Sequence, residues 1–202
     1  MFKFDDQKLL SAYVATFPGP TPRADQVAGA GKLMGFISAD PAILDIRWAA
    51  YMLATVKHEC ADTWVPINER GSSDYFHKYE ADTPLGHRLG NTQDGDGFRF
   101  RGRGYVQITG RANYDNLGRL IGLIDGLLKN PDQALDPQVA YKIMSVGMRR
   151  GSFTGKKLSD YINQNASDYV NARRIINGTD QAEKIAGYAA KLEQVLTSAI
   201  VK

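Results

Sequence analysis

With 202 residues, 43% of them apolar, the chain suffices for one well-buried core and leaves little for a second domain. A net charge of +3 favours approach to an anionic polymer or surface without naming it, so nucleic acid, anionic cell wall and acidic membrane stay open. One cysteine, Cys60, excludes an internal disulfide framework and fits a reducing cytoplasm, and no stretch approaches the roughly 18 apolar residues of a membrane span.

The chain starts Met1-Phe2-Lys3-Phe4-Asp5-Asp6, with acids where a signal peptide carries bases and no apolar run behind them, so no export signal is expected. Helical periodicity then dominates, and no alternating run is long enough for an extensive sheet; the class is mainly α. Residues 6 to 17 read as a first helix, stopped by Pro18-Gly19-Pro20-Thr21-Pro22. Residues 25 to 37 read as a second. Asp40 followed by Pro41 reads as the N-cap and first position of a third helix. Its Ile43, Ile46, Ala49, Ala50, Leu53 and Val56 recur at core spacing, and it runs into His58-Glu59. From Cys60 to about Gln107 turn residues crowd together. A loop-rich stretch of that length inside a compact domain is usually a binding or catalytic surface, here with room for a short β-hairpin. Further helices are expected over 112–121, 136–149 and 166–176. The last, over 181–200, carries Ile185, Ala189, Leu192, Leu196 and Ile200 on one stripe.

Two carboxylates, Glu59 and Glu69, stand ten residues apart across the end of the third helix. At about 100° per residue, Glu59 shares a face with Thr55, Met52 and Trp48, at the edge of the apolar stripe. Desolvation there would favour the neutral, proton-donating form that a general acid needs. Periodicity alone leaves a surface glutamate equally open. Glu69 falls in a polar loop, where water and donors such as Arg70, Ser72 or Ser73 would suit a base; alone, Glu69-Arg70 reads as a solvated loop pair. Two carboxylic acids, one protonated and one ionised, are the minimum machinery for cutting a glycosidic bond.

The stretch from Phe98 to Tyr114 tips that balance. Gly102-Arg103-Gly104, Gln107-Ile108-Thr109 and Asn113-Tyr114 resemble the signature of family-19 glycoside hydrolases, the chitinase and phage-endolysin group. His58-Glu59 resembles that family's acid at a helix end, and Glu69 to Tyr75 its base segment. Leu128-Lys129-Asn130-Pro131-Asp132 and Ile175-Ile176-Asn177-Gly178 agree as well, so five ordered motifs cover roughly residues 50 to 187. The resemblance implies a lysozyme-like single-domain helical fold with a loop-rich active-site region. It implies one catalytic domain over 1–202, with two lobes flanking a cleft and no separate cell-wall-binding domain. It makes Glu59 the acid that protonates the leaving oxygen, Glu69 the base that deprotonates a water, and Thr109 the hydroxyl that helps hold that water. Inversion at the anomeric carbon would need the carboxyls about 6.5–9.5 Å apart. Gln107, Asn113 and Asn177 become amides that bond N-acetyl and hydroxyl groups, with loop fixing as their alternative, and Tyr105 joins the substrate-binding set.

Several positions depart from the plant enzymes. Cys60 replaces the threonine after His-Glu, the insertion between the glutamates is missing, and Ala112 replaces an aromatic residue. Gln181 replaces the acid four positions beyond the substrate-loop asparagine, and Lys184 aligns only loosely with an arginine of the final helix, which leaves the support around Glu59 unaccounted for. These departures look more like the phage-endolysin branch. Other chemistry fits less well. His58, Glu59, His77 and His87 lack zinc-site spacing, so no metal or other cofactor is expected. Cys60 beside His58 points about 100° away from it and reads as a small buried thiol. Gly151 to Lys157 is one residue short of a phosphate loop. Phe98 to Tyr105, basic with interleaved aromatics, could serve nucleic acid in a catalytically silent module.

The expectation is an inverting, metal-free hydrolase of β-1,4 bonds in peptidoglycan glycan strands. As an endolysin it would be a monomer, accumulate in the host cytoplasm, and reach the wall in the periplasm after a holin opens the inner membrane. It would bind no nucleic acid and insert in no membrane. The alternatives are a chitinase acting on chitin oligomers and a silent glycan- or nucleic-acid-binding module.

Overall fold

The computed structural model describes residues 2–201, so Met1, where the signal-peptide reading begins, and Lys202 lie outside the described residues. Asp5 accepts the amides of Gln7 and Lys8 and starts helix α1 (Asp6–Thr16). Helix α2 (Ala24–Ala39) follows the proline cluster, with the Arg23 amide donating to the Gln26 side chain. The Asp40-Pro41 pair does not begin a helix. Asp40 closes α2, and its carboxylate accepts the Ala42 amide in a turn. Helix α3 (Ile46–Glu59) starts five residues later at Asp45, which accepts the Arg47 amide and also pairs with the Arg47 guanidinium at 2.6 Å. Both aspartates offer a capping acceptor, and the second wins because its cap is reinforced by charge. Nor is α3 amphipathic as expected: every residue from Ala49 to Lys57 is buried, the mark of a central helix covered on all sides.

The loop-rich stretch is more ordered than its composition suggests. Strand β1 (Ile67–Asn68) precedes three short helices, α4 (Ser73–Phe76), α5 (Pro84–Arg88) and α6 (Asp96–Arg99), the first two capped by Ser72 and Thr83. Strand β2 (Arg103–Gly104) then pairs antiparallel with β1, Ile67 opposite Gly104 and Asn68 opposite Arg103. The expected hairpin is therefore a ladder between segments far apart in sequence. Helices α7 (Arg111–Leu120), α8 (Gly126–Lys129) and α9 (Pro137–Arg150) follow, then α10 (Leu158–Tyr161). A helix over 166–176 does not form. Strands β3 (Ile162–Asn163) and β4 (Ala166–Ser167) make a small hairpin there, and a 3-10 turn spans Asn171–Ile175. Asn163 accepts the Asn165 amide and Asp168 the Asn171 amide, so short polar side chains give the backbone a local alternative to a helix. Helix α11 (Ala182–Ala199) ends the chain. The mainly α, lysozyme-like class holds. Among the described residues no helix is long and apolar enough to cross a membrane.

The internal contacts divide the chain into two compact units, one of residues up to Val65 together with those from Met148 onward, the other Pro66–Gly147. In the first unit α11 packs on α3 and on α1. Ile185, Ala189, Leu192 and Leu196 are buried as their spacing predicts, whereas Ile200 leaves the helix and pairs in a bridge with Phe4. Lys57 is also buried, its Nζ 2.8 Å from the Asp62 carboxylate and 2.7 Å from the Tyr13 hydroxyl, with the Phe17 ring 4.6 Å away. An apolar pocket of about 260 Å³, lined by Leu9, Leu10, Val27, Met34, Leu53 and Leu196 among others, lies in this unit and does not include Glu59. The second unit is built around Phe76, Phe100, Tyr105, Ile108, Tyr114, Leu117 and Leu127, all nearly inaccessible.

Candidate active site

The sequence-predicted residues fall into two clusters, one in each unit. Glu59 is the last residue of α3, with 18% of its side chain exposed. Its Oε1 accepts a hydrogen bond from Arg173 Nη1 at 2.7 Å, and the Arg173 side chain is only 4% exposed. The 3-10 turn Asn171–Ile175 presents Arg173, and the Asp180 carbonyl accepts from its Nε at 3.0 Å. A charge-assisted bond of this length, buried on the arginine side, fixes the carboxyl in place. Of the apolar residues expected beside it, Trp48 donates its indole N–H to the Ile162 carbonyl and Met52 lies wholly in the core. Among the described residues neither Lys184 nor Gln181 bonds to Glu59, whose ion pair is with Arg173. Sequence reasoning missed Arg173. Its only mark is the basic pair Arg173-Arg174 just ahead of the Ile175 to Gly178 motif.

Asn177 lies two residues beyond that turn. Its amide donates to the Arg173 carbonyl, its Oδ1 accepts from Gly178, and the residue is exposed. The two residues beside Glu59 are electrostatically quiet. Burial pushes the His58 pKa down, against the opposing pull of the Glu59 charge, which leaves the imidazole neutral at pH 7. Burial, then the Glu59 charge, push the Cys60 thiol up to about 12, so it is a buried, unreactive group as the sequence suggested.

In the second unit Glu69 follows β1 directly, and its amide donates to the Gly102 carbonyl at 2.7 Å. Its carboxylate collects three neutral donors: the Tyr75 hydroxyl at 3.1 Å and the Tyr79 hydroxyl at 3.0 Å on Oε1, and the Gly102 amide at 3.0 Å on Oε2. These are not the donors expected from the loop, since the Ser72 hydroxyl caps α4 by accepting the Tyr75 amide. A carboxylate offers about four acceptor positions, so one remains for a further donor such as a water. Burial and the Glu69 charge push the Tyr79 phenol above its ordinary range and keep its proton on the hydroxyl.

The Gly-Arg-Gly turn explains why this carboxylate can be reached by a backbone amide. A side chain on Gly102 would stand 3.0 Å from both Glu69 Oε2 and Gln107 Oε1, and Gly104 holds a φ of +86° that a glycine adopts freely. Between them Arg103 is buried, donating to Asp132 at 2.8 Å, to the carbonyls of Arg99 and Arg101, and to the Tyr114 hydroxyl. The Leu128 to Asp132 and Asn113-Tyr114 motifs thus brace that turn.

The amides expected to touch sugar have structural duties. Gln107 Nε2 donates to the carbonyls of Ile67 and Gly104, and Asn113 Nδ2 donates to the Thr109 carbonyl at 2.7 Å. The Thr109 hydroxyl donates to the Gln107 carbonyl at 3.0 Å, which leaves its lone pairs to accept from a water. Tyr105, 1% exposed, is a core ring with no face for a sugar. Its place in a Gly-rich loop hid that burial. No group of three or more histidine, cysteine or acidic side chains is placed to hold a metal ion among the described residues.

No known family's sequence model matches the chain. Solved structures do. Chitinase C from Streptomyces griseus HUT6037 matches with a TM-score of 0.65 and 24% identity, over 96% of this chain and 78% of that one. A bacterial family 19 chitinase matches with a TM-score of 0.60 and 24% identity over 93% of each chain. A glutamate-to-glutamine mutant of chitinase C matches with a TM-score of 0.59 and 22% identity, over 93% of this chain and 91% of that one. The chain therefore has the fold of family 19 chitinases, nearly end to end.

Proposed function

We propose that the protein is an inverting glycoside hydrolase that cuts β-1,4 bonds of bacterial peptidoglycan, with Glu59 as general acid and Glu69 as general base. The observation that carries this reading is that both glutamates singled out by motif are held by dedicated donors, on a chain with the fold of family 19 chitinases. Glu59, poised at its helix end by Arg173, delivers a proton to the leaving oxygen. Glu69, with one acceptor position open, takes a proton from the attacking water, and Thr109 accepts a bond from that water and helps to orient it. No step requires a metal or cofactor.

Peptidoglycan is favoured by the net positive charge and by the departures at Cys60, Ala112 and Gln181, which resemble the endolysin branch. On this reading the protein is a monomer made in the host cytoplasm that meets the wall once a holin opens the inner membrane. Expression inside a Gram-negative cell then leaves the culture intact until the inner membrane is permeabilised; lysis without permeabilisation would remove this route. The structural neighbours named as chitinases favour a second reading, hydrolysis of chitin oligomers. Parallel digestion of purified peptidoglycan and chitin oligomers, with products weighed by mass spectrometry and their anomers followed by NMR, separates the two. Soluble muropeptides released as the inverted anomer support the proposal, and cleavage of chitin alone sinks it.

A further inference from the structure

Next to Glu69 the second unit carries a surface that hydrolysis of a neutral glycan does not require. Tyr75 and Phe98, 45% and 47% exposed, flank the buried ring of Phe76 in edge-on contacts at 5.1 and 5.6 Å. Each exposed ring carries a cation. Lys78 Nζ lies 3.5 Å from the Tyr75 ring centre, and the Arg101 guanidinium lies 4.2 Å from that of Phe98. Arg101 is the residue before Gly102, whose amide holds Glu69, and Tyr75 itself donates to that carboxylate. Neither cation forms a salt bridge with a carboxylate among the described residues, although ten other ion pairs do form. Among the described residues Arg101 donates to the Phe98 carbonyl, at 2.9 Å. Burial and the like charge of Arg103 push its pKa down, so a bound anion would relieve it.

Resting on the hydrolase reading above, we infer that Lys78 and Arg101, seated on Tyr75 and Phe98, form a subsite for a carboxylate-bearing glycan, the rings holding the cations where they pair with its acidic substituent. Chitin is neutral, whereas peptidoglycan strands carry carboxylates on the peptide of alternate sugars, so this surface selects the anionic polymer. Aromatics with interleaved cations also suit single-stranded nucleic acid. The glycan is favoured because Tyr75 and the residue next to Arg101 both bond directly to the proposed base.

The test compares kcat/KM on soluble peptidoglycan chains with free stem carboxylates and on the same chains methyl-esterified. The wild-type protein should prefer the free carboxylates about tenfold, through KM rather than kcat, and the preference should shrink as salt shortens the Debye length from about 10 to about 3 Å. Arg101→Gln combined with Lys78→Gln should bring the ratio towards one, and Arg101→Lys should keep most of it. A wild-type ratio of one, or equal losses on both substrates in the double variant, overturns the subsite while leaving the hydrolase intact. Should the double variant fold poorly, the wild-type salt dependence decides the same point. If neither substrate is cleaved but titration shows ester-sensitive, salt-sensitive binding, the hydrolase reading fails and the subsite stands. Binding of single-stranded DNA that depends on both cations, with glycan binding indifferent to esterification, overturns the assignment to a glycan.

Discussion

Glu59 and Glu69 are held in opposite ways. In the first unit a single charged partner, Arg173, grips Glu59 and is itself buried and anchored to a backbone carbonyl. In the second unit, among the described residues, no cation bonds to Glu69; two phenols and one amide share its oxygens, and the ion pairs form elsewhere, between Arg103 and Asp132 and between Arg111 and Asp96. Two chemically identical side chains thus receive different environments, one ionic and one built of neutral donors. A charged clamp sets position at the risk of an unpaired charge if it is lost. Neutral donors set position and lose little when any one of them is removed.

The largest effect should come from the carboxyls themselves. Glu69→Gln should lower kcat by about a thousandfold or more with the thermal melt nearly unchanged, and Glu59→Gln should lower kcat as much but also lower the melt, because both remove a proton-transfer group and only the second leaves the buried Arg173 guanidinium without its charge partner. Near-native turnover in either variant would break the comparison at its root. Arg173→Met comes next. It strands a largely buried carboxylate and should cost about 3 kcal/mol in denaturant unfolding as well as activity. The same change in a Glu59→Gln background should cost much less, because no charge is left unpaired; simple additivity would deny the clamp.

On the neutral side, Tyr79→Phe should cost about 1 kcal/mol and lower turnover several-fold, and Tyr75→Phe less, since its ring is nearly half exposed. A loss from Tyr79→Phe as large as that from Arg173→Met would erase the contrast. The smallest effect concerns pH. Burial raises the Asp96 carboxyl, but its bonds from Arg111, Thr92 and Gln93 outweigh that, so its pKa in the folded state lies below the ordinary 3.8. The stability it contributes is complete above that value and is lost as pH falls through the folded value. Asp96→Asn should therefore be less stable than wild type at pH 7, with the gap narrowing below about pH 4. A gap constant across that range would show that Asp96 is not held as a charge.

Much of this was legible in the chain. The apolar stripe of the last helix, the helix ending at Glu59, and the motif from Gly102 to Tyr114 are all where their patterns put them, because 3.6-residue periodicity and glycine-dependent turns are local. The misreadings share a cause. Asp40 and Asp45 compete as caps at short range, and only the Arg47 pairing separates them. The 166–176 segment has helical composition, yet Asn163 and Asp168 turn it into a hairpin and a 3-10 turn. Tyr105 looks like a loop aromatic until the surrounding core is in place.

The amino-acid sequence by itself determined the mainly α class, the pair of glutamates and the Gly-Arg-Gly turn that lets a backbone amide reach one of them. Only the tertiary structure decided what holds each carboxylate: Arg173 for Glu59, from 114 positions further along the chain, and Tyr75, Tyr79 and Gly102 for Glu69. Periodicity reports which face of an element is buried. It does not report which polar group meets it there, because that depends on contacts between segments distant in sequence.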